Sequence, residues 1–430
     1  MRRVIICMIS LCVFAQPIFA ENITPTEQRI ADYIVKQQPA QIALLKKLVN
    51  INSGTENVKG VHRVGEMVRP QFKQLGFTTQ WFEQPKSMHR AGTLIAEHQG
   101  TKGKRLLLIA HLDTVFPPQS DFQRFAINGN LATGPGVVDD KGGIVVILYA
   151  LKALQAADVL KDTTITVVLT GDEEESGKPT SISRKPLIDI ANNSDIALDF
   201  ELGTLDTLTI ARRGISNWFI RTEGNSSHSS EIFQNPVGYG AVFELSRILN
   251  TMRDELSNEE YLSFNPGIIL GGTTIDFKKT TTTGSAFGKQ NVIAKEAFAS
   301  GDLRYISTEQ KLDAKQKILT IVENHLPGTT ASITFVDGIP SMPPTKDNLK
   351  LLKKYSAVSV TLGYGTITAS DPNSRGAGDI SYIANKMQAN VSGLGPIGQG
   401  THSTNETLAL DALAMQTQRA ALFIYRLTQE

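Results

Sequence analysis

Apolar runs of strand length alternate with a longer apolar segment in the first half of the chain, and this alternation most constrains the fold. The strand-like runs lie at residues 93–96, 106–110, 165–169 and 196–200. Residues 143–157, between the second and third runs, are predominantly apolar over the length of a helix. An alternation of strand, helix and strand is typical of a sheet covered by helices. The sequence therefore predicts an α/β fold.

Other patterns flank and interrupt this alternation. Residues 24–77 and 409–428 carry apolar side chains mostly at three- and four-residue spacings, which predicts helices. Between residues 214 and 337 the expected order is strand 218–222, helix 237–256, strands 267–277 and 292–305, helix 308–326 and strand 331–336. This order suggests a small α+β sandwich inserted into the larger sheet. At 430 residues the chain exceeds the usual size of one domain, so two domains are expected.

The first twenty residues have the organisation of a signal peptide. Met1, Arg2 and Arg3 form a short charged region, residues 4–15 are predominantly apolar, and Ala20 supplies a small residue for cleavage. The apolar stretch is shorter than the roughly 20 residues that span a bilayer, which disfavours an uncleaved anchor. We therefore expect residues 1–20 to be removed and the mature chain to be secreted or periplasmic, without a membrane contact.

The composition argues against nucleic-acid binding and against cysteine as a metal ligand. Lys plus Arg is 43 and Asp plus Glu is 42, and removing residues 1–20 takes away Arg2 and Arg3 and no acid, which leaves 41 basic residues. A neutral chain lacks the basic excess that binds a phosphate backbone, so nucleic acid is not an expected partner. Both cysteines, Cys7 and Cys12, lie in the expected signal peptide. Any metal in the mature chain must therefore be held by His and carboxylates.

Histidine and acidic residues follow the predicted strands or end Gly-rich turns. His111 and Asp113 come directly after the run 106–110, where an imidazole can face the ligand crevice of an α/β sheet. Asp139 and Asp140 end a Gly-rich turn before the predicted apolar helix. Each pair also has an ordinary explanation, because a His can cap a strand and acids commonly cap helix N-termini.

Three further elements add to this set. Residues 172–175 are four consecutive acids after the run 165–169, Glu201 follows the run 196–200, and His402 lies in a Gly-rich loop. Consecutive acids usually form a solvated loop, but at the end of a buried strand a bound cation best relieves their repulsion. Jointly the five elements supply two His and at least three carboxylates. Such donors suit zinc, and also cobalt or manganese, better than magnesium or calcium.

Seven short motifs follow one another along the chain: HLDTV at 111–115, GPGVVDDKGG at 134–143, GDEEESG at 171–177, DFE at 199–201, SSHSS at 226–230, GDLR at 301–304 and GQGTHS at 398–403. In these motifs and their order the chain resembles the M20 family of metallopeptidases, particularly its secreted glutamate carboxypeptidase branch. The resemblance implies a zinc-exopeptidase-like catalytic domain with a mixed sheet covered by helices, in residues 21–213 and 338–430. It also implies an inserted ferredoxin-like lid and dimerisation domain in residues 214–337.

The resemblance implies a role for each residue of the metal site. Asp139 would bridge two zinc ions, and its peptide bond to Asp140 is often cis in the family. Glu173 would be the general base, and Asp113 would orient His111. The ligands that complete the two metal shells would be His111 and Glu201 for one ion, and Glu174 and His402 for the other.

The resemblance also assigns roles in the inserted segment. His228 would reach across a homodimer to stabilise the tetrahedral oxyanion, while Asn291 and Arg304 would hold the carboxylate of the substrate. One departure concerns Thr207, which lies near a lysine position of the glutamate-releasing branch. Arg212 and Arg213 follow it instead, so a preference for glutamate stays open.

The expected function is a secreted di-zinc carboxypeptidase that releases a C-terminal acidic amino acid, such as glutamate, from a small peptide or N-acyl amino acid. An N-acyl amino acid amidohydrolase or a dipeptidase on the same site is a close alternative. A non-catalytic binding protein of this fold is a remote one, because Glu173 and all five ligand positions are present. No GxSxG or HExxH motif supports a serine hydrolase or an HExxH zinc protease.

Overall fold

The computed structural model of the chain describes residues 22–374 and 376–430. The expected signal peptide and both cysteines lie outside them. Within the described residues the helices are α1 (Pro25–Lys36), α2 (Gln38–Val49), α3 (Val58–Gln74), α4 (Lys141–Ala156), α5 (Thr180–Ser183), α6 (Lys185–Ala191), α7 (Gly240–Leu256), α8 (Thr308–Glu323), α9 (Lys346–Thr361) and α10 (Leu410–Leu427). None of these helices is both long and apolar enough to cross a membrane.

The strands are numbered in the same way along the chain. They are β1 (Thr78–Phe82), β2 (Thr93–His98), β3 (Lys102–His111), β4 (Ala126–Asn128), β5 (Leu131–Thr133), β6 (Thr163–Thr170), β7 (Ile196–Asp199), β8 (Thr207–Leu208), β9 (Gly214–Gly224), β10 (Ser263–Gly272), β11 (Thr274–Lys278), β12 (Thr283–Phe287), β13 (Glu296–Tyr305), β14 (Thr329–Asp337), β15 (Thr368–Ala369), β16 (Ala389–Ser392), β17 (Gly398–Gln399) and β18 (Thr407–Ala409). The four strand-like runs of the first half correspond to β2, β3, β6 and β7, and the apolar segment between them to α4.

Six strands form the main sheet in the order β1-β2-β6-β3-β7-β16. β3 runs parallel to β6 and β7, and β7 runs parallel to β16. β2 is antiparallel to both β1 and β6, so the sheet is mixed, as expected. Because parallel strands end at the same edge of a sheet, the residues that follow β3, β6, β7 and β16 lie side by side.

Both faces of this sheet are buried, which explains its uninterrupted apolar runs. In β3, Leu106 and Leu108 belong to the core that includes α4, whereas Leu107 and Ile109 belong to a separate core on the other face. Side chains alternate across a strand, so both sets must be apolar. Helix α4 is buried over residues 141–151 because it packs between β3 and the helices α1, α2 and α10.

Residues 214–337 build a second, antiparallel sheet with its own core. Its strand order is β10-β13-β9-β14, and α7 and α8 pack on it around Trp218, Leu245 and Ile318. The element order follows the sequence expectation, with one extra hairpin made of β11 and β12. The limits of the two expected domains, at residues 213/214 and 337/338, stay predictions.

The expected single strand 267–277 is wrong, because the chain leaves the sheet after Gly272. β10 pairs with β13 only as far as the register Gly272–Glu296, where β13 begins, so no further partner residues exist there. A side chain on Gly272 would place its Cβ 2.5 Å from the Phe287 carbonyl oxygen. Glycine therefore permits the close turn after which β11 pairs with β12.

The two chain segments that connect the sheets are hydrogen-bonded to each other. The Arg212 N–H donates to the Met342 carbonyl at 2.8 Å, and the Met342 N–H donates back at 2.9 Å. The Ile215 N–H donates to the Ile339 carbonyl at 2.9 Å. The inserted segment thus leaves and re-enters the larger part of the chain through a paired ribbon.

A buried ion cluster anchors the acidic loop that follows β6. The Arg184 guanidinium, only 1% exposed, donates to Asp172 Oδ1 at 2.8 Å through Nη1 and to Asp379 Oδ1 at 2.6 Å through Nε. Both carboxylates are also buried. Removal of the cation would leave two buried negative charges without their partner.

Arg184→Leu is therefore expected to lower the free energy of unfolding by about 3–5 kcal/mol, measured by urea denaturation. The matched control is Arg105→Leu, which removes a partly exposed pair with Asp195 (2.6 Å) and should cost less than about 1 kcal/mol. Equal losses in the two variants would contradict a special contribution from the buried cluster.

Candidate metal centre

The Asp139 carboxylate lies between two histidines. Its Oδ1 is 2.9 Å from His111 Nε2, and its Oδ2 is 3.2 Å from His402 Nε2. Asp139 ends the Gly-rich loop before α4, and its peptide bond to Asp140 is cis, as the resemblance led us to expect. Asp140 Oδ2 accepts a hydrogen bond from the His111 backbone N–H at 3.2 Å, which ties this loop to the end of β3.

The other candidate ligands complete two groups that share Asp139. Glu201 Oε1 is 3.7 Å from His111 Nε2, and Glu174 Oε2 is 3.0 Å from His402 Nε2. Within each group, one possible ligand atom from every residue lies within 4.8 Å of the others. The five residues predicted as ligands are therefore brought together, in the two sets that the resemblance implies, and their binding of a metal stays a prediction.

The carboxylates of these two groups lie close together, and their negative charges favour a bound cation. Burial, and next the negative charge of Asp139, raises the pKa of Glu201 to about 8. Burial also raises the pKa of Glu174, although a hydrogen bond from His402 opposes this effect. Bound cations would relieve the repulsion among the carboxylates. Three carboxylates and two imidazoles are donors that zinc, cobalt and manganese accept, so the residues present fit such ions.

Asp113 has more contacts than orientation of His111 requires. His111 Nδ1 lies 3.1 Å from the Asp113 backbone carbonyl oxygen and 3.3 Å from Asp113 Oδ1, and the role of Asp113 in orienting the ring stays a prediction. The same carboxylate accepts the backbone N–H groups of Glu173 at 3.1 Å and Glu174 at 3.2 Å, and the Thr55 hydroxyl at 2.7 Å. One buried carboxylate thus positions a histidine and the acidic loop together. Sequence reasoning missed Thr55, because this 58-residue separation carries no local signal.

Glu173 belongs to neither ligand group but lines a cavity that both groups border. This cavity has a volume of about 280 Å³, and its walls include Asp139, Glu201 and His402. Burial raises the pKa of Glu173 well above its usual value, and the negative charge of Glu201 raises it further. Glu175, the last of the four consecutive acids, is exposed and forms an ion pair with Arg90 at 2.9 Å, and it belongs to neither ligand group.

Arg212 also lines this cavity, whereas the sequence showed it only as one of two arginines that follow Thr207. Its Nη1 donates to the Gly376 carbonyl at 2.9 Å, and its Nη2 donates to Ser392 Oγ at 2.7 Å and lies 3.6 Å from Asp199 Oδ2. Its buried Nε has no hydrogen-bond partner among the described residues. A guanidinium so placed can attract a carboxylate that enters the cavity.

The three candidate residues of the inserted segment lie outside this cavity. His228 and Asn291 are neighbours, since the Ser229 N–H donates to the Asn291 carbonyl at 3.0 Å. The Arg304 Nε donates to Asp302 Oδ2 at 2.7 Å. None of the three lines the cavity beside the two ligand groups. Their roles with substrate stay predictions.

Comparisons with known proteins agree with this architecture. The model of the peptidase family M20/M25/M40 matches residues 107–426. Carboxypeptidase G2 of Pseudomonas sp. (strain RS-16) is 30% identical over 397 residues, which cover 90% of this chain and 89% of that protein. The sequence similarity therefore extends over both sheets and both ligand groups.

Solved structures give the same fold. Aminopeptidase PepT from Bacillus cereus superposes with a TM-score of 0.72 at 17% identity, and covers 91% of this chain and 98% of its own. The YXEP protein of Bacillus subtilis, a dinuclear metal-binding peptidase of the M20 family, superposes with a TM-score of 0.63 at 15% identity, over 92% and 99%. The expected mixed α/β fold is confirmed.

Asp113→Asn is expected to weaken zinc binding by about 10–100-fold, because an amide cannot accept all the bonds that orient His111 and the acidic loop. Zinc affinity is measured by competition with a chromophoric chelator. The matched control is Asp195→Asn. Asp195 lies just before β7, at the opposite edge of the sheet, and its carboxylate accepts the Arg105 backbone N–H at 2.9 Å. An unchanged affinity in Asp113→Asn would remove the positioning role.

Proposed function

The chain belongs to the M20/M25/M40 peptidase family and is a carboxypeptidase-type metallohydrolase, and from this premise we propose that it is a di-zinc enzyme releasing an acidic C-terminal amino acid. The observation that carries the proposal is the pair of ligand groups sharing Asp139. His111 and Glu201 would complete one zinc site, and Glu174 and His402 the other. The relative from Bacillus subtilis, itself a dinuclear metal-binding peptidase, supports a two-ion centre. Cobalt or manganese would suit the same donors.

When bound, the two ions would supply an activated water and polarise the scissile carbonyl. The protein would supply the proton transfer. Glu173 would take a proton from the attacking water on its carboxylate and then give it to the leaving amide nitrogen. Its position in the cavity wall, outside both ligand groups, supports this role.

A carboxylate on the leaving residue has a partner in the cavity. Arg212 lines the cavity, where the other charged residues of the wall include the acids Asp139, Glu173 and Glu201, and its Nη2 lies 3.6 Å from Asp199 Oδ2. Arg304 and Asn291 lie outside this cavity, so their expected contacts with the carboxylate require the inserted segment to approach the metal centre. A cation at this position supports a leaving residue with a free α-carboxylate, which every C-terminal amino acid has. The preference for an acidic side chain is the part of the proposal that the substrate comparison below tests.

We further propose that the inserted segment forms a homodimer and presents His228 to the metal centre of a second copy. Strand β10 is an edge of its sheet, and edge strands are ready to pair with another chain. Large exposed apolar side chains lie on this strand and on the helix that contacts it: Ile269 is in β10, Val242 and Phe243 are in α7, and Phe233 packs against Phe243. Such a cluster supports association through this edge.

The localisation is part of the same proposal. The charged, apolar and small residues of positions 1–20 support export and cleavage, so the mature enzyme would act on small peptides or N-acyl amino acids outside the cytoplasm. A mature chain without thiols would suit an oxidising compartment.

The direct test is hydrolysis by the zinc-loaded enzyme. N-acylated glutamate and aspartate, and dipeptides that end in them, should react faster than matched substrates ending in leucine or lysine. Glu173→Gln should lower the rate by about 10²–10⁴-fold while both zinc ions stay bound. The control variant Glu175→Gln should keep its activity, because Glu175 is exposed and belongs to neither ligand group. Release of no amino acid from any of these substrates would overturn the proposal, and reaction of N-acyl amino acids alone would favour the amidohydrolase alternative.

The dimer proposal is tested by mixing two inactive variants, His228→Ala and Glu173→Gln, under conditions that exchange subunits. If His228 acts on the partner's site, mixed dimers contain one intact site, and activity should recover to about a quarter of wild type. A mixture of Glu173→Gln and Glu174→Ala, two defects of the same site, should recover none. No recovery in the first mixture would exclude action of His228 across a dimer.

A further inference from the structure

Glu406 is a fully buried carboxylate that belongs to neither ligand group. Its Oε1 accepts the backbone N–H groups of Val138 at 2.9 Å and Asp139 at 3.1 Å. Its Oε2 accepts the Gly136 N–H at 3.0 Å. All three donors belong to the Gly-rich loop that carries Asp139. A buried carboxylate bonded to three amides is a strong and geometrically specific anchor for that loop.

Glu406 also belongs to the loop that carries His402. This loop connects β17 to β18, and β18 pairs with β5 in the register Thr407–Thr133. The Asp139 loop therefore begins, and the His402 loop ends, at neighbouring residues of one small sheet. Glu406 is the residue before Thr407, so its side chain crosses from the His402 loop to the Asp139 loop where the two diverge.

His402 needs such support more than the other candidate ligands do. Its side chain is 59% exposed, and its φ of +61° lies in the left-handed region that non-glycine residues rarely adopt. His111, by contrast, ends a central strand, and Glu174 is held through Asp113. Within the described residues, hydrogen bonds inside the 400–406 turn fix the turn itself but not its distance from Asp139.

We propose that Glu406 is a positioning residue that fixes Asp139 relative to His402 and thereby sets the metal affinity of the group formed by Asp139, Glu174 and His402. This inference rests on the proposed two-metal centre. Asp139 belongs to both groups, but the bond from the His111 N–H to Asp140 Oδ2 at 3.2 Å holds its loop to His111 without Glu406. The proposal therefore assigns the larger effect to the group with His402.

The test is zinc binding by Glu406→Gln. Glutamine keeps the shape of the side chain, but its NH₂ group cannot accept a bond, so at least one loop amide loses its acceptor. One of the two zinc ions should bind about 10–100-fold more weakly. After dialysis against a weak chelator, the variant should retain one zinc per chain where wild type retains two. Excess zinc should restore the rate without a change in KM.

The matched control is Glu244→Gln. Glu244 is equally buried and accepts the Leu326 N–H at 2.9 Å, but it lies in the inserted segment, away from the metal centre. This variant should lose stability and retain two zinc ions. Two tightly bound ions in Glu406→Gln would overturn the proposal.

A measurement on the wild-type protein covers the case in which Glu406→Gln fails to fold. Hydrogen exchange of the metal-free protein should show protected amides at Gly136, Val138 and Asp139, because Glu406 holds them without any ion. Exchange as fast as in an exposed loop would overturn the proposal. A wild-type protein that binds two zinc ions yet hydrolyses nothing would instead contradict the proposed function and leave the role of Glu406 intact.

Discussion

The placement of one carboxylate between two imidazoles is the contact on which the rest of the site depends. Asp139 faces His111 with one oxygen and His402 with the other, although the two histidines come from distant parts of the sequence. Their approach requires that β3, the loop before α4 and the β17–β18 turn meet at one end of the molecule. The remaining ligands then complete groups that Asp139 already defines.

This concentration of acids couples folding to metal binding. Burial raises the pKa of Glu201 to about 8, so its ionised form is unfavourable until a positive charge is near. The fold places compensating groups around the acids: Arg184 behind the acidic loop, and backbone amides against Asp113 and Glu406. Ligands that repel one another in the free protein gain most from an ion, so binding energy contributes to stability.

Much of the site could be predicted because strand ends and chemically distinctive residues are visible in a sequence. His111 follows an apolar run directly, and the motif order paired each acid with its histidine. The break after Gly272 could not be predicted, because it depends on where the partner strand β13 begins. The contacts of Thr55 and Glu406 were invisible for a related reason: each joins segments far apart in the sequence, and Glu406 acts on backbone amides that every residue possesses.

The paired ribbon between the two sheets has a consequence for protein engineering. Residues on either side of the inserted segment are hydrogen-bonded neighbours, as the exchange between Arg212 and Met342 shows. The new termini left by excision of residues 214–337 would therefore already lie beside each other, and a turn of about two to five residues could join them. The larger sheet and all five metal-site positions belong to what remains, which makes this larger part of the chain a natural starting scaffold for grafting other recognition modules.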